Sequence, residues 1–587
     1  MASTTPKPKL HGRAFYESIG SPKFVVAPMV NQSEFAWRML TRSFLSPDGN
    51  AKLLAYSPMF HARLFEETAK YRGSQFQATR KPIEDLPKDD TAPPVQPAES
   101  NLFLDGNPKF DRPLFVQFCA NDPEKLLGAA QLAAPYCDAI DLNLGCPQGI
   151  ARNGRYGAFL QEDQELIYKL INNLHKNLSI PVTAKIRILE TKEKTLAYAR
   201  NVLAAGASIL TVHGRRREQK GHLTGVADWE YIRYLRENLP KDTVIFANGN
   251  ILQSGDVERC LEATGADAVM SAEGNLSDPA IFATPPPVGE EGREYWRGRE
   301  GKGGWRVDAV FRRYLDILYK YVLEQTPPQR RPLFVVGDDE AWLHESATKE
   351  GEDQEGPARK KRKKDGGGKH ESSPNLVAVR PHLFHLLRHF VSRHIDIRDA
   401  LAKTHSGDVP GIEKVLDMVE RRVAQGLIDY EKTDGKSLDN DDPVPKPKKT
   451  PAPTPSEEES KKVAVDLEDD PESSVATVKA CKRPWWVAQP IVRPLPKEAL
   501  AKGAIRMSKK DIKKNENGEA ASATAASAVT SAVAATSTNG ESKENGNIQD
   551  AQKVEAELPK ADSVDGAREA PIDPKNPDST SDELVCG

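Results

Sequence analysis

Paired cysteines are missing from this chain. Its six cysteines, Cys119, Cys137, Cys146, Cys260, Cys481 and Cys586, form no CxxC pair and no framework spacing, which argues against both a disulfide scaffold and a structural zinc site. The first 25 residues carry no apolar core of a secretory leader, and nothing approaches the roughly 18 consecutive apolar residues of a membrane span. The expectation is a soluble intracellular protein. Net charge is nearly absent too: 82 Lys and Arg against 85 Asp and Glu leave −3, so only the distribution of charge informs about partners. Hydrophobic residues make up 38% of a chain rich in Pro and Gly, so part of it is expected to stay unfolded.

What is present is an alternation. Eight β-like runs fall at 24–30, 52–59, 113–120, 137–144, 181–188, 208–215, 243–250 and 266–272. Most are apolar almost throughout, as strands buried on both faces must be. Helical stretches lie between nearly all of them, with Ser33 and Asp122 as N-caps and Pro123 at the first helical position. Eight βα units over about 260 residues make the fold class α/β, a TIM (β/α)8 barrel. The barrel is assigned to 21–285, after a disordered N-terminus at 1–20 and with a loop insertion at 74–112, which is rich in Pro, Asp and Gln. Residues 284–305 read as a linker. A small all-α helical bundle is expected over 306–430, interrupted by a disordered basic insert at 337–376. An acidic, Pro-rich linker (431–478) follows, then a segment at 479–514 with eleven Lys or Arg against two acids and the adjacent Trp485 and Trp486, and a disordered tail at 515–587.

In a TIM barrel the active site lies at the C-terminal ends of the strands. Here those ends carry Met29 and Val30, Gln117, Asn143 with Cys146, Lys185 and Arg187, His213 with Gly214 and Arg215, Asn248 with Gly249 and Asn250, and Ala272 with Glu273. Each has an ordinary explanation. Free cysteine is most often a small buried hydrophobe, Lys185 alone suits a solvated strand end, and an isolated Asn-Gly is usually a turn. Their joint placement on one rim favours a site. Gly-containing turns after strands seven and eight offer backbone N–H groups to a phosphate, and no set of residues has metal-ligand spacing.

The motifs APMV, VQFCANDP, DLNLGCPQGIARNGRYGAFL, PVTAKIRI, LTVHGRRREQKG, IFANGNI and AVMSAEGNLSDPAIF occur in order and resemble those of the tRNA-dihydrouridine synthases. The runs MFHARLF and AEGNL are similar to the eukaryotic branch that acts on D-loop positions 16 and 17, and WWVAQPIVRP to that branch's C-terminal region. The resemblance spans residues 20–430. It implies an oxidoreductase acting on a CH–CH bond, with tightly bound FMN reduced by NADPH or NADH and a hydride passed to C6 of a uracil in tRNA. Cys146 would protonate C5. Pro28, Met29 and Val30 would border the flavin, Gln117 and Lys185 its polar edge, and His213, Asn248, Gly249, Asn250, Ala272 and Glu273 the ring, ribityl chain and phosphate. Where many bacterial members carry Gly-Arg, this chain has Ala272-Glu273, so that role passes to backbone amides.

A free thiol with a pKa near 8.5 is largely protonated at neutral pH and suits a general acid. A base inside folded RNA must be turned outward into the pocket, with phosphate contacts supplying most affinity. For these the sequence offers Arg152, Arg155 and Tyr156 in a Gly-punctuated loop, Arg215 and Arg216 on the rim, and Arg388 and Arg393 on a helix, which reads equally as a solvated face. The 479–514 segment suits looped RNA or a belt packed along the body. The run at 358–364 reads as a nuclear import signal or as solvated loop charge, making the expected compartment cytoplasmic, nuclear or both. A monomer is expected. Two other functions stay open: an FMN-dependent reductase of a free pyrimidine, and an RNA-binding protein with a dead site.

Overall fold

The computed structural model describes residues 9–84, 98–253, 255–344, 373–438 and 483–492, with positions 476, 495 and 498. Its centre is a closed barrel of eight parallel strands: β1 (Phe24–Val26), β2 (Leu53–His61), β3 (Leu114–Cys119), β4 (Ala139–Leu144), β5 (Val182–Arg187), β6 (Ile209–His213), β7 (Val244–Asn248) and β8 (Ala268–Ser271). The sheet closes where β1 pairs with both β2 and β8. All eight apolar runs became strands. Side chains alternate between the barrel interior and the surrounding helices, so β5 sends Thr183, Lys185 and Arg187 inward while Val182, Ala184 and Ile186 pack outward. Register then aligns rows of interior residues: Met59, Gln117, Asp141 and Thr183 in one, Asn143, Lys185 and Thr211 in the next, and Arg187, His213 and Asn248 above. Local chemistry starts the outer helices. Asp122 accepts from the amides of Glu124 and Lys125 ahead of Pro123, and Asp163, Thr191 and Asp228 cap the helices after them.

Several boundaries differ from the sequence expectation. The N-terminus is structured from residue 9. Helix Gly12–Ser18 buries Phe15 and Tyr16, and the Tyr16 hydroxyl donates to the carbonyls of Pro22 and Asp267 across the base of the barrel. Ser33 does not cap helix Phe35–Arg42; its hydroxyl bonds Met29, and the Ala36 amide donates instead to Asn375 Oδ1 at 2.8 Å, a cap supplied from 339 residues away. The described parts of the 74–112 insertion are packed. Arg38, fully buried, donates to Asp105 at 2.8 Å and to Asp111 at 2.5 and 3.1 Å. Pairing on this scale offsets the cost of burying three charges. The linker at 284–305 contains an antiparallel hairpin, Tyr295–Arg297 with Gly303–Trp305.

Beyond the barrel, helices Val307–Ile317, Pro374–Leu386, Arg388–Arg393, Ile395–Lys403 and Val409–Lys432 pack together and against helix Phe35–Arg42. Residues 337–344 and 373–376, expected within the unstructured insert, are ordered, the latter opening helix Pro374–Leu386. At the seam His382 stacks on Trp37 at 3.9 Å and bonds Glu34 at 2.9 Å. Trp486 and Val487 are buried there. The Val307 amide donates to the Trp486 carbonyl, and the Ala488 amide donates to that of Trp305. Trp485 leans on Phe390 and is crossed by Arg393. Residues 483–492 therefore pack as a belt along the body. The basic run 358–364, the 439–475 part of the acidic linker, most of 479–514 and the tail 515–587 lie outside the described residues, as do 1–8 and 85–97. Among the described residues no helix is long and apolar enough to cross a membrane.

Candidate active site

The strand ends bring the chosen residues to one rim. Cys146 follows β4 and is 1% exposed, packed with Cys119, Ala151 and Tyr156 and flanked by Val30, Met59 and Phe159. Its turn is held from three directions. Asn143 Oδ1 accepts from the amides of Gly145 and Cys146 at 3.1 and 2.9 Å, Arg187 Nε donates to the Gly145 carbonyl at 2.7 Å, and the Ala158 amide donates to the Cys146 carbonyl. Gly157 sits at φ +65°, where a Cβ would lie 2.8 Å from the Cys146 carbonyl oxygen and 3.0 Å from its Cβ, so only glycine fits. Cys146 is held in place by a built turn. Burial pushes the neighbouring Cys119 thiol far up, which keeps it protonated.

Two strands along the rim, His213 is buried within the field of Arg187, Lys185 and Arg215, and desolvation first, then these cations, drive its pKa well below the usual value. It is neutral at physiological pH. Arg215 can only donate, so its 3.1 Å contact makes His213 Nε2 the acceptor and leaves the proton on Nδ1, a buried N–H with no partner among the described residues. Asn248 donates to the Met270 carbonyl, while its buried Oδ1 has no partner among the described residues. Gly249, at φ +107°, would drive a Cβ to 2.6 Å from Ala227, so the backbone there runs bare along the rim. Unsatisfied buried donors and acceptors call for a ligand. An anionic ligand with hydrogen-bonding ring edges, such as the flavin the sequence resemblance implies, fits this cationic set.

Pro28 and Met29 are buried at the end of β1 with Val30 half-buried beside them; Gln117 and Lys185 are buried in the interior rows; Asn250 bridges Arg215 and Ala227; Ala272 precedes helix Glu273–Ser277, with Glu273 half-buried. The RNA set divides. Arg152, Arg155, Arg216, Arg388 and Arg393 are exposed. Arg215 is not a surface cation: it is 6% exposed and donates to the Gly225 carbonyl and Asn250 Oδ1. Tyr156 is likewise buried, edge-on to His61 at 5.7 Å, so it lines the thiol pocket. The loop carrying these residues is already folded, as helix Gly149–Asn153 and a 3₁₀ turn over Gly157–Leu160.

Sequence reasoning missed Asp141 and Thr183. Asp141 Oδ2 accepts from Gln117 Nε2 at 2.8 Å and Oδ1 from the Thr183 hydroxyl at 2.6 Å, while Gln117 Oε1 accepts from Asn143 Nδ2 at 2.8 Å. A carboxylate in an otherwise apolar run, two residues before Asn143, was the available signal. Among the described residues no cluster of ligands would hold a metal.

A buried thiol turn and a cationic cradle thus meet at the mouth of a closed parallel α/β barrel, the place of an active site in this fold. Residues 25–295 match the family described as Dihydrouridine synthase (Dus). Over 487 residues the chain is 40% identical to the tRNA-dihydrouridine(16/17) synthase of Schizosaccharomyces pombe, covering 83% of this chain and 92% of that one. The Saccharomyces cerevisiae protein of the same name is 45% identical over 394 residues, 67% of this chain and 72% of its own. A related protein of Rattus norvegicus is 47% identical over 290 residues, 49% of this chain and 58% of its own. This chain belongs to the dihydrouridine synthase family.

Proposed function

We propose that this protein is an FMN-dependent tRNA-dihydrouridine synthase that uses NADPH to reduce the C5–C6 bond of uridines in the tRNA D-loop, at positions 16 and 17. The observation that carries the reading is Cys146 on its immobilised turn, facing a mouth whose buried polar groups suit a flavin. The positions follow the relatives' names, as does the nicotinamide reductant.

FMN, when bound, would supply the hydride for C6. The protein's own residues do the rest. Cys146 holds a proton on Sγ for C5, and Asn143 and Arg187 fix the turn that presents it. Met59, Phe159 and Tyr156 wall the thiol with apolar surface, limiting water access where the proton is transferred. Neutral His213 offers its Nδ1 hydrogen and Asn248 its Oδ1. Exposed Arg152 and Arg155, on the loop that follows Cys146, meet the phosphates of the RNA.

The test is incubation of the purified protein with NADPH and unmodified tRNA, followed by mapping of dihydrouridine by position. Reduction at 16 and 17 is expected. Turnover of free uracil or dihydroorotate without RNA would replace this reading with that of a small-molecule reductase, and a colourless protein that binds tRNA without reducing it would replace it with that of a binding protein.

A further inference from the structure

The hydrogen bonds beneath Cys146 have a direction that cannot be reversed locally. The amides of Gly145 and Cys146 can only donate, and both donate to Asn143 Oδ1. Asn143 must therefore turn its NH2 away from the turn, to Gln117 Oε1 at 2.8 Å. Gln117 must then turn its own NH2 onward, to Asp141 Oδ2 at 2.8 Å. The chain of donors ends on Asp141, whose second oxygen takes the Thr183 hydroxyl at 2.6 Å. All four side chains are buried, at 2% exposure or less. No bulk water stands ready to re-pair a group that turns the wrong way, and a mismatched buried amide is costly. Strand register places Gln117 directly beside Asp141 and Asp141 beside Thr183, so the order of the relay is built into the barrel.

We infer that Asp141 is a positioning residue for the chemistry at Cys146: as terminal acceptor it sets which way the Gln117 and Asn143 amides face, and through them holds the turn that carries the thiol. The inference rests on the reading of Cys146 as proton donor. The route from Asp141 to the turn runs through the two amides. Gln117 and Thr183 each donate to one of its oxygens, while burial raises its carboxyl to about 6 against the pull of Thr183, Gln117 and Lys185.

Asp141→Leu keeps the branched outline and removes the acceptor. Because a misplacement of about 1 Å at a reacting group can cost on the order of 10²-fold, kcat is expected to fall by roughly that factor while KM for tRNA holds. Asp141→Asn should restore most of kcat, since an amide can give its oxygen to Gln117 and its NH2 to Thr183. A second measurement needs no turnover and no Leu variant. Asn143→Asp sets acceptor against acceptor at Gln117 and should lower the melting temperature of the full-length protein; adding Asp141→Asn lets Gln117 turn round, and the double variant should melt above Asn143→Asp alone. The inference is overturned by wild-type kcat in Asp141→Leu, by Asp141→Asn being as slow as Asp141→Leu, or by a double variant no more stable than Asn143→Asp. Should the wild-type protein reduce no uridine, the proposed function fails while the melting comparison still reports on the relay.

Discussion

The barrel mouth and the seam between barrel and helical region both bury charge, and they settle it differently. Toward the seam several cations meet carboxylates: Arg38 meets Asp105 and Asp111, Arg306 grips Asp308 through two nitrogens, and half-buried Arg312 reaches Glu420. At the mouth Arg187 and Arg215 donate to carbonyl oxygens and an amide, and together with Lys185 they press on His213 in the same sense. Ion pairs hold the seam together, whereas the mouth gathers three cations around one neutral imidazole.

That contrast can be broken in four ways. At the mouth, Cys146→Ala should retain FMN and tRNA but lose roughly 10²- to 10⁴-fold in rate, the usual share of a general acid; a variant as fast as wild type would remove the thiol from the mechanism. At the seam, Arg38→Ala strands two buried carboxylates and should cost about 3–5 kcal/mol of unfolding free energy in urea, with turnover per folded molecule unchanged. Normal stability there would mean the pairs are not structural. On the surface beside the mouth, Arg152→Ala with Arg155→Ala should flatten the salt dependence of tRNA binding, lowering the slope by about two, with little change in the chemical step. An unaltered slope would place the RNA elsewhere.

The fourth concerns pH. His213 binds a proton more readily unfolded than folded, so its contribution to stability is complete above the unfolded value near 6.5 and is lost as pH falls. His213→Gln should accordingly lose less stability than wild type between about pH 7 and 5, read by melting temperature. Equal losses in the two proteins would show that His213 is not held neutral.

Much of this was legible in the sequence, for a physical reason. A strand buried on both faces must be apolar, so β1 to β8 announced themselves, and strand ends in a barrel must point to one rim, so Cys146, Lys185 and His213 were found together. Buried pairing was not legible. Asp105 and Asp111 lie in a stretch whose polarity reads as loop because their partner, Arg38, is 67 and 73 residues away. Arg215 looked like a solvated cation beside Arg216, yet the turn folds it inward. Asp141 passed unremarked because composition does not reveal which amide a carboxylate will orient.

The belt at Trp486 has a consequence for how the protein is made. Trp486 closes a seam begun by Trp296 and Tyr430, from a position well past both. While the ribosome is still short of that codon, the barrel strands are all available to pair, but the aromatic faces waiting for Trp486 stand open to water and to other nascent chains. Completion of this surface is thus a late event in synthesis, and a messenger truncated upstream of it would yield a barrel with its active-site mouth encoded in full and its flank unsealed.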